Sequence, residues 1–256
     1  MKPLFLKLVP FILFIGLLLS FYKKNDAVQS TLTQNLMQDP LYQSFAVLEL
    51  FTSEGCSSCP PADEILGGVA NQDNVFVLSF HVTYWNKLGW KDAFSQKMFD
   101  ERQYAYGRLM KSSGVYTPQL VVNGSEEFVG SRKSQTEKSI EKALSQKAEA
   151  SIILNKTVEN NALKIQYKLE GNYKNTILNI ALVEKNIETK VLRGENEGRT
   201  LKHDNVVREF QTIQLNATGE GIISLNIPND FKQKDSNIIA YLQNKDTWKI
   251  AAANKL

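Results

Sequence analysis

The sequence predicts an α/β domain followed by an all-β sandwich-like domain, and three observations carry that expectation. Between residues 45 and 149, short apolar runs alternate with segments in which apolar residues recur at helical spacing. After Ala150 the helical period disappears, and seven short strand-like runs are separated by turn residues. Both cysteines of the 256-residue chain fall in one stretch of the first part, VLELFTSEGCSSCPPAD (Val47 to Asp63), at a junction that reads as strand into helix.

Taken in order, residues 1–27 carry Lys2 and Lys7 beside an apolar run from Leu8 to Tyr22, the pattern of a signal peptide or an N-terminal anchor, and residues 28–44 read as a linker. Ala46 to Phe51 suits a central strand. From Pro60 to Asn71, Ala62, Ile65, Leu66, Val69 and Ala70 fall on one helical face, with two prolines suited to a first turn. Pro60 also disfavours helical geometry at Cys59, which predicts a helix that begins a turn later. Val75 to Val82 is a second continuous apolar strand, and strand, helix, strand in this order implies a parallel crossover. A helix from Phe94 to about Lys111, a strand at Gln119 to Val122, an Asn123-Gly124 hairpin signal, a return strand at Glu126 to Gly130 and a helix from Ser134 to Gln146 complete the first part.

In the second part the strand candidates are Ser151 to Val158, Leu163 to Leu169, Ile177 to Glu184, Val206 to Leu215, Gly221 to Ile227, Asn237 to Leu242 and Trp248 to Ala252. Lys190 to Asp204 (KVLRGENEGRTLKHD) is left as a long connection, of the kind that is functional or hides an element. Arg193 and Arg199 in it suit binding of an anion or carboxylate, or salt bridges between domains.

The leader implies export to the periplasm or cell envelope, with the N-terminal segment as a membrane tether if it is retained. Removing residues 1–27 takes four lysines and one aspartate from 30 basic and 27 acidic residues and leaves 26 of each. That neutral balance lacks the basic excess on which nucleic-acid binding relies, so no nucleic-acid partner is expected. An oxidising compartment lets a disulfide persist.

A Cys-x-x-Cys pair after a strand and before a helix is a thiol redox candidate. As a staple it is poorly placed, because closing so short a loop removes only about 2 kcal/mol from the unfolded ensemble. Glu49 is anomalous in an apolar strand; buried and unpaired it would suit a general base, and a paired or edge-facing glutamate is the alternative. Tyr84, Trp85 and Trp90 lie in an aromatic loop, TYWNKLGWKD, and suit a lip that holds an unfolded or peptide-like partner, or else cap a core. His81 and His203 with the two cysteines invite a soft metal site, although a lone histidine at a strand end more often makes a structural hydrogen bond; no metal or other cofactor is assigned.

The element order of the first part, with Cys-x-x-Cys before its first helix and Thr117-Pro118 entering the third strand, resembles the thioredoxin fold over residues 45–149. More closely, VLELFTSEGCSSCPPAD, HVTYWNKLGWKD, ERQYAY, YTPQLVVNG and RGENEGRTLKHDNVVR resemble an uncharacterised bacterial family of secreted thioredoxin-like proteins, a domain of unknown function. The resemblance implies that Cys56 attacks, Cys59 resolves, Thr117 and the cis-proline Pro118 align an extended partner, and Glu49 assists proton transfer. The implied activity is thiol-disulfide exchange with protein or peptide thiols and a redox partner. A non-catalytic envelope-binding module on the same scaffold, and a copper-handling protein, are the alternatives.

Overall fold

A computed structural model describes residues 42–112, 114–159 and 162–256, so the leader and most of the linker lie outside the described residues. The first part contains β1 (Ala46–Thr52), α1 (Pro60–Val69), β2 (Val75–His81), α2 (Lys97–Leu109), β3 (Gln119–Val122), β4 (Glu126–Val129) and α3 (Lys133–Leu144). The second contains β5 (Ala150–Glu159), β6 (Ala162–Gly171), β7 (Thr176–Glu184), β8 (Ile187–Lys190), β9 (Thr200–His203), β10 (Val206–Gln214), β11 (Glu220–Asn226), β12 (Ser236–Asn244) and β13 (Ile250–Lys255). All seven strands expected after Ala150 are present. The long connection hides one more, β9, which pairs as a hairpin with β8, a further strand that runs up to its first residue.

The elements agree with the sequence; their assembly does not. The expected thioredoxin-like α/β domain followed by a separate sandwich is replaced by one mostly β unit built on an eight-stranded mixed sheet, in the order β13-β12-β7-β10-β2-β1-β3-β4. The reason is the open edge of β2. β10 takes it in parallel at Val206 and Ser79, and the Ser79 amide donates to the Asn205 carbonyl at 2.9 Å. Strands of the second part therefore extend the sheet of the first, and Leu41 to Leu256 is one compact unit.

Side-chain alternation assigns the layers. In β1, Val47 and Phe51 point to the face covered by Phe99 and Tyr106 of α2, while Leu48 and Leu50 point to the face covered by Ala62 and Leu66 of α1 and Ile140 of α3. The α2 core continues across the join to Ala181, Val183, Phe210 and Tyr241. On the opposite face of β7 and β12, Leu178, Ile180, Ile238 and Leu242 pack against Ile165, Tyr167 and Leu225 of a three-stranded sheet, β11-β6-β5.

A buried polar knot fastens the same join. Arg102 on α2 donates to Glu49 through Nε at 2.6 Å and Nη2 at 2.9 Å, and to the Tyr241 hydroxyl at 3.0 Å. Its guanidinium lies 5.1 to 5.8 Å from the ring centres of Phe80, Tyr106, Phe210, Tyr241 and Trp248. A guanidinium surrounded in this way gains ring attraction in addition to its ion pair. The hairpin at Asn123 and Gly124 meets the second part as well: a Cβ on Gly124 (φ 63°) would stand 2.0 Å from the Trp248 carbonyl oxygen, so only glycine fits there.

Among the described residues, no helix is long and apolar enough to cross a membrane.

Candidate functional site

The two cysteines form a disulfide at the start of α1. Cys59 is the N-cap residue in helical geometry and Pro60 and Pro61 fill the first turn, so the helix does not begin a turn late. A turn hydrogen bond from the Cys59 amide to the Cys56 carbonyl at 3.2 Å, followed by bonds from the Ala62 and Asp63 amides to the Cys59 carbonyl, holds Cys59 helical against the preference of a residue before proline. Both cysteines are buried, and Ser57 and Ser58 between them are exposed.

The loop is held from several directions. The Ser58 hydroxyl lies 3.4 Å from Cys56 Sγ and donates to the Thr117 carbonyl at 3.5 Å. The Thr117–Pro118 bond is cis, and the Trp85 indole donates to Thr117 Oγ1 at 2.8 Å. Thr117, Pro118 and Trp85 are thus gathered beside the dithiol loop. Tyr84 is half-buried, and burial pushes its hydroxyl up to about 12.

The connection that read as structureless reaches the same loop. Glu195 accepts from the Ser57 amide at 3.0 Å and from the Ser57 hydroxyl at 2.7 Å, and these bonds hold its carboxyl below the usual range. Fully buried Asn196 donates to the carbonyls of Glu54 at 2.8 Å and Cys56 at 3.0 Å, and Arg199 fixes the Asn196 amide through a 2.7 Å bond to Oδ1.

Beneath the loop sits a cluster of buried titratable groups: Glu54, Asp63, His81, Asp92 and His203. His81 Nδ1 lies 2.7 Å from Asp92 Oδ2, which also accepts from the Glu54 amide at 2.9 Å. Burial opposes charge on the His81 ring, and Asp92, with Asp63 and Glu54 further off, overrides it and raises the ring's pKa. Burial likewise works against the Asp92 anion, but His81 and the amides of Glu54 and Phe94 hold its pKa down.

His203 stands between two carboxylates, with Nδ1 3.5 Å from Asp63 Oδ1 and Nε2 3.8 Å from Glu54 Oε1. These separations exceed hydrogen-bond length, and both ring nitrogens and both facing oxygens are buried without a partner. Asp63 Oδ2 accepts from Thr52 Oγ1 at 3.2 Å, and Glu54 Oε2 from the Trp90 indole at 2.7 Å. The two histidine rings meet edge to face with centres 4.9 Å apart. Their neighbours are carboxylates, and both sulfurs are taken by the disulfide, so the two-His two-Cys constellation considered from the sequence is not assembled in this state.

Glu49 is the corrected residue. The expectation of a buried, unpaired base fails because Glu49 shares its parity with Val47 and Phe51 and faces α2, where Arg102 and the Tyr106 hydroxyl engage its oxygens. Thr52, of opposite parity, faces α1 and finds Asp63. The buried acids beneath the dithiol loop are Glu54, Asp63 and Asp92. Sequence held a signal for the second: Asp63 is four residues after Cys59, hence on the same face of α1 one turn on.

The family described as a protein of unknown function, DUF1223, matches residues 47–243, more than half of the chain. The chain belongs to that family. No curated protein matches it. Among solved structures, a crystal structure of a protein from Agrobacterium tumefaciens is similar at 28% identity, with a TM-score of 0.65 over 84% of this chain and 94% of that one. HBP35 of Porphyromonas gingivalis is similar at 18% identity, with a TM-score of 0.57 over 84% of this chain and 75% of that one. The second likeness is one of fold alone. Neither the family description nor these likenesses names a reaction.

Proposed function

We propose that this member of the DUF1223 family is an exported thiol-disulfide oxidoreductase that exchanges electrons with protein or peptide thiols through Cys56 and Cys59. The observation that carries the reading is a short-loop disulfide at a helix start, whose intervening Ser58 bridges Cys56 Sγ to the Thr117 carbonyl. A pair only three positions apart contributes about 2 kcal/mol as a staple, little for a unit already joined by a continuous sheet.

The chemistry follows from the residues. A partner thiolate attacks the Cys56 sulfur, forming a mixed disulfide and expelling Cys59 as a thiolate. A second thiolate of the partner then displaces Cys56, so the partner's two sulfurs become a disulfide and the Cys56–Cys59 pair a dithiol; the reverse sequence oxidises the dithiol. The departing Cys59 takes up a proton, and Asp63, one turn on, with His203 beyond it, supplies buried acid–base groups on that side. On ionisation of Cys56 the Ser58 hydroxyl turns its proton from the Thr117 carbonyl to the thiolate 3.4 Å away, and Thr117, Pro118, Tyr84 and Trp85 line the approach of the partner. Export rests on the leader-like residues 1–27.

A Cys59→Ala protein tests the reading. Cys56 is then without a resolving thiol, and incubation with an oxidised peptide is expected to trap a mixed disulfide that is visible by mass and released by dithiothreitol. Absence of any trapped species sinks the proposal.

Burial of both cysteines favours a second reading, a redox-inert scaffold for an envelope-binding module. Retention of binding and of the cellular phenotype by the Cys56→Ser, Cys59→Ser protein would select it.

A further inference from the structure

We infer that Glu195 is a positioning residue that sets the acidity of Cys56 and, through it, the poise of the dithiol, an inference that rests on the function proposed above. The Ser57 amide and hydroxyl are the donors next to Cys56 in its own loop, and both are spent on the Glu195 carboxylate, at 3.0 and 2.7 Å. Donors spent on a carboxylate are withheld from a thiolate, and the carboxylate adds a negative charge beside the position where Cys56 ionises. Both effects disfavour the thiolate.

Ser58 is the only loop hydroxyl left to it, at 3.4 Å from Cys56 Sγ, and that hydroxyl is shared with the Thr117 carbonyl. Glu195 reaches this place because its neighbour Asn196 is buried and pinned to the carbonyls on either side of Gly55, those of Glu54 and Cys56. The second part of the chain thus carries a charge onto the loop between the cysteines of the first.

The consequence for poise follows from the reaction P(SH)2 + GSSG ⇌ PS2 + 2 GSH, in which the dithiol passes two electrons and two protons to glutathione disulfide. A less acidic Cys56 leaves the dithiol form less stabilised, so the Cys56–Cys59 disulfide resists reduction; relief of that effect makes it a stronger oxidant.

The test compares Glu195→Gln and Glu195→Ala with the unaltered chain, and needs no physiological partner. In a Cys59→Ala background, the pH dependence of Cys56 alkylation by iodoacetamide reads the thiol pKa directly. Both variants are expected to lower it by roughly 0.5 to 1 unit. In the two-cysteine protein, the equilibrium with glutathione is expected to shift toward the dithiol by roughly 3- to 10-fold. Glu195→Gln keeps an acceptor for Ser57, so a fold that merely needs that bond is preserved. An unchanged alkylation profile in both variants overturns the inference, whether or not the dithiol exchanges with glutathione. A normal shift in that profile with no exchange upholds the role of Glu195 in Cys56 acidity and counts against the proposed function instead.

Discussion

Glu49 and Asp63 are both buried acids, and their separate fates follow from where alternation and helical spacing aim them. Glu49 is paired with Arg102 of α2, so Glu49→Gln is expected to act on stability and leave the chemistry of Cys56 alone. Uncompensating a buried ion pair costs about 3–5 kcal/mol. Urea denaturation of Glu49→Gln should show a loss of that order, while the alkylation profile of Cys56 stays put; a profile that moves with the substitution would return Glu49 to the dithiol.

His81 and Asp92 make a pH-dependent contribution with a definite sign. The raised pKa of His81 gives stability that is fully present below the usual imidazole value of 6.5 and is lost as pH rises through the raised value. The lowered pKa of Asp92 gives stability that is present above the usual carboxylate value of 3.8 and is lost as pH falls through the lowered one. Stability is therefore expected to decline on the alkaline side of the imidazole range, and His81→Gln should flatten that decline. Parallel denaturation midpoints for the two proteins between pH 6 and 9 would contradict it.

At the scale of elements, the hairpin β8–β9 and the loop it carries determine how the disulfide is held. Asn196→Ala removes donors from two carbonyls, and leaving buried acceptors unmade costs about 1–3 kcal/mol. Reduction of the disulfide by dithiothreitol is expected to quicken by roughly 10-fold, one factor of ten for each 1.4 kcal/mol of lost restraint. Equal reduction rates would mean that the loop does not restrain the site. Much of this was illegible beforehand. The strands β8 and β9 are four residues each; β8 ends on the first residue of KVLRGENEGRTLKHD and β9 lies inside it, a stretch whose charge and glycines read as a connection. Length and composition marked it as functional or as hiding an element, and no local pattern says that Asn196 will be buried 140 positions from the carbonyl it caps.

For the molecule as a whole, the period of the sequence was enough to find helices and strands, because period is a local property. Strand order is not. Val75 to His81 is apolar throughout, which states that both faces are covered and nothing about its edges; the edge is taken by β10, from more than a hundred residues away. Cys56 and Cys59 were legible because their motif is short, whereas Thr117 and Pro118 joined them only through the resemblance to the thioredoxin fold. Glu54, Asp63 and His203 were not legible, since His203 joins them through the same long-range strand pairing. Residues 42–149 alone should accordingly fail to fold: the fragment bares the edge of β2 and strips Arg102 of Tyr241, Gln243, Phe210 and Trp248. A cooperative urea transition in that fragment would contradict the single-unit architecture.

The unity of the molecule bears on its chemistry, since the loop that carries the cysteines comes from one part and Glu195 and Asn196, which help to pin it, come from the other. The central claim is that Cys56 and Cys59 interconvert between dithiol and disulfide in the folded protein. Equilibrating the full chain in glutathione buffers of graded composition, then counting alkylated thiols by mass, tests it most directly. The expected result is a single two-electron transition, with both cysteines blocked together on the reducing side and neither on the oxidising side. A pair that stays oxidised across the whole range until the protein itself unfolds would contradict the account.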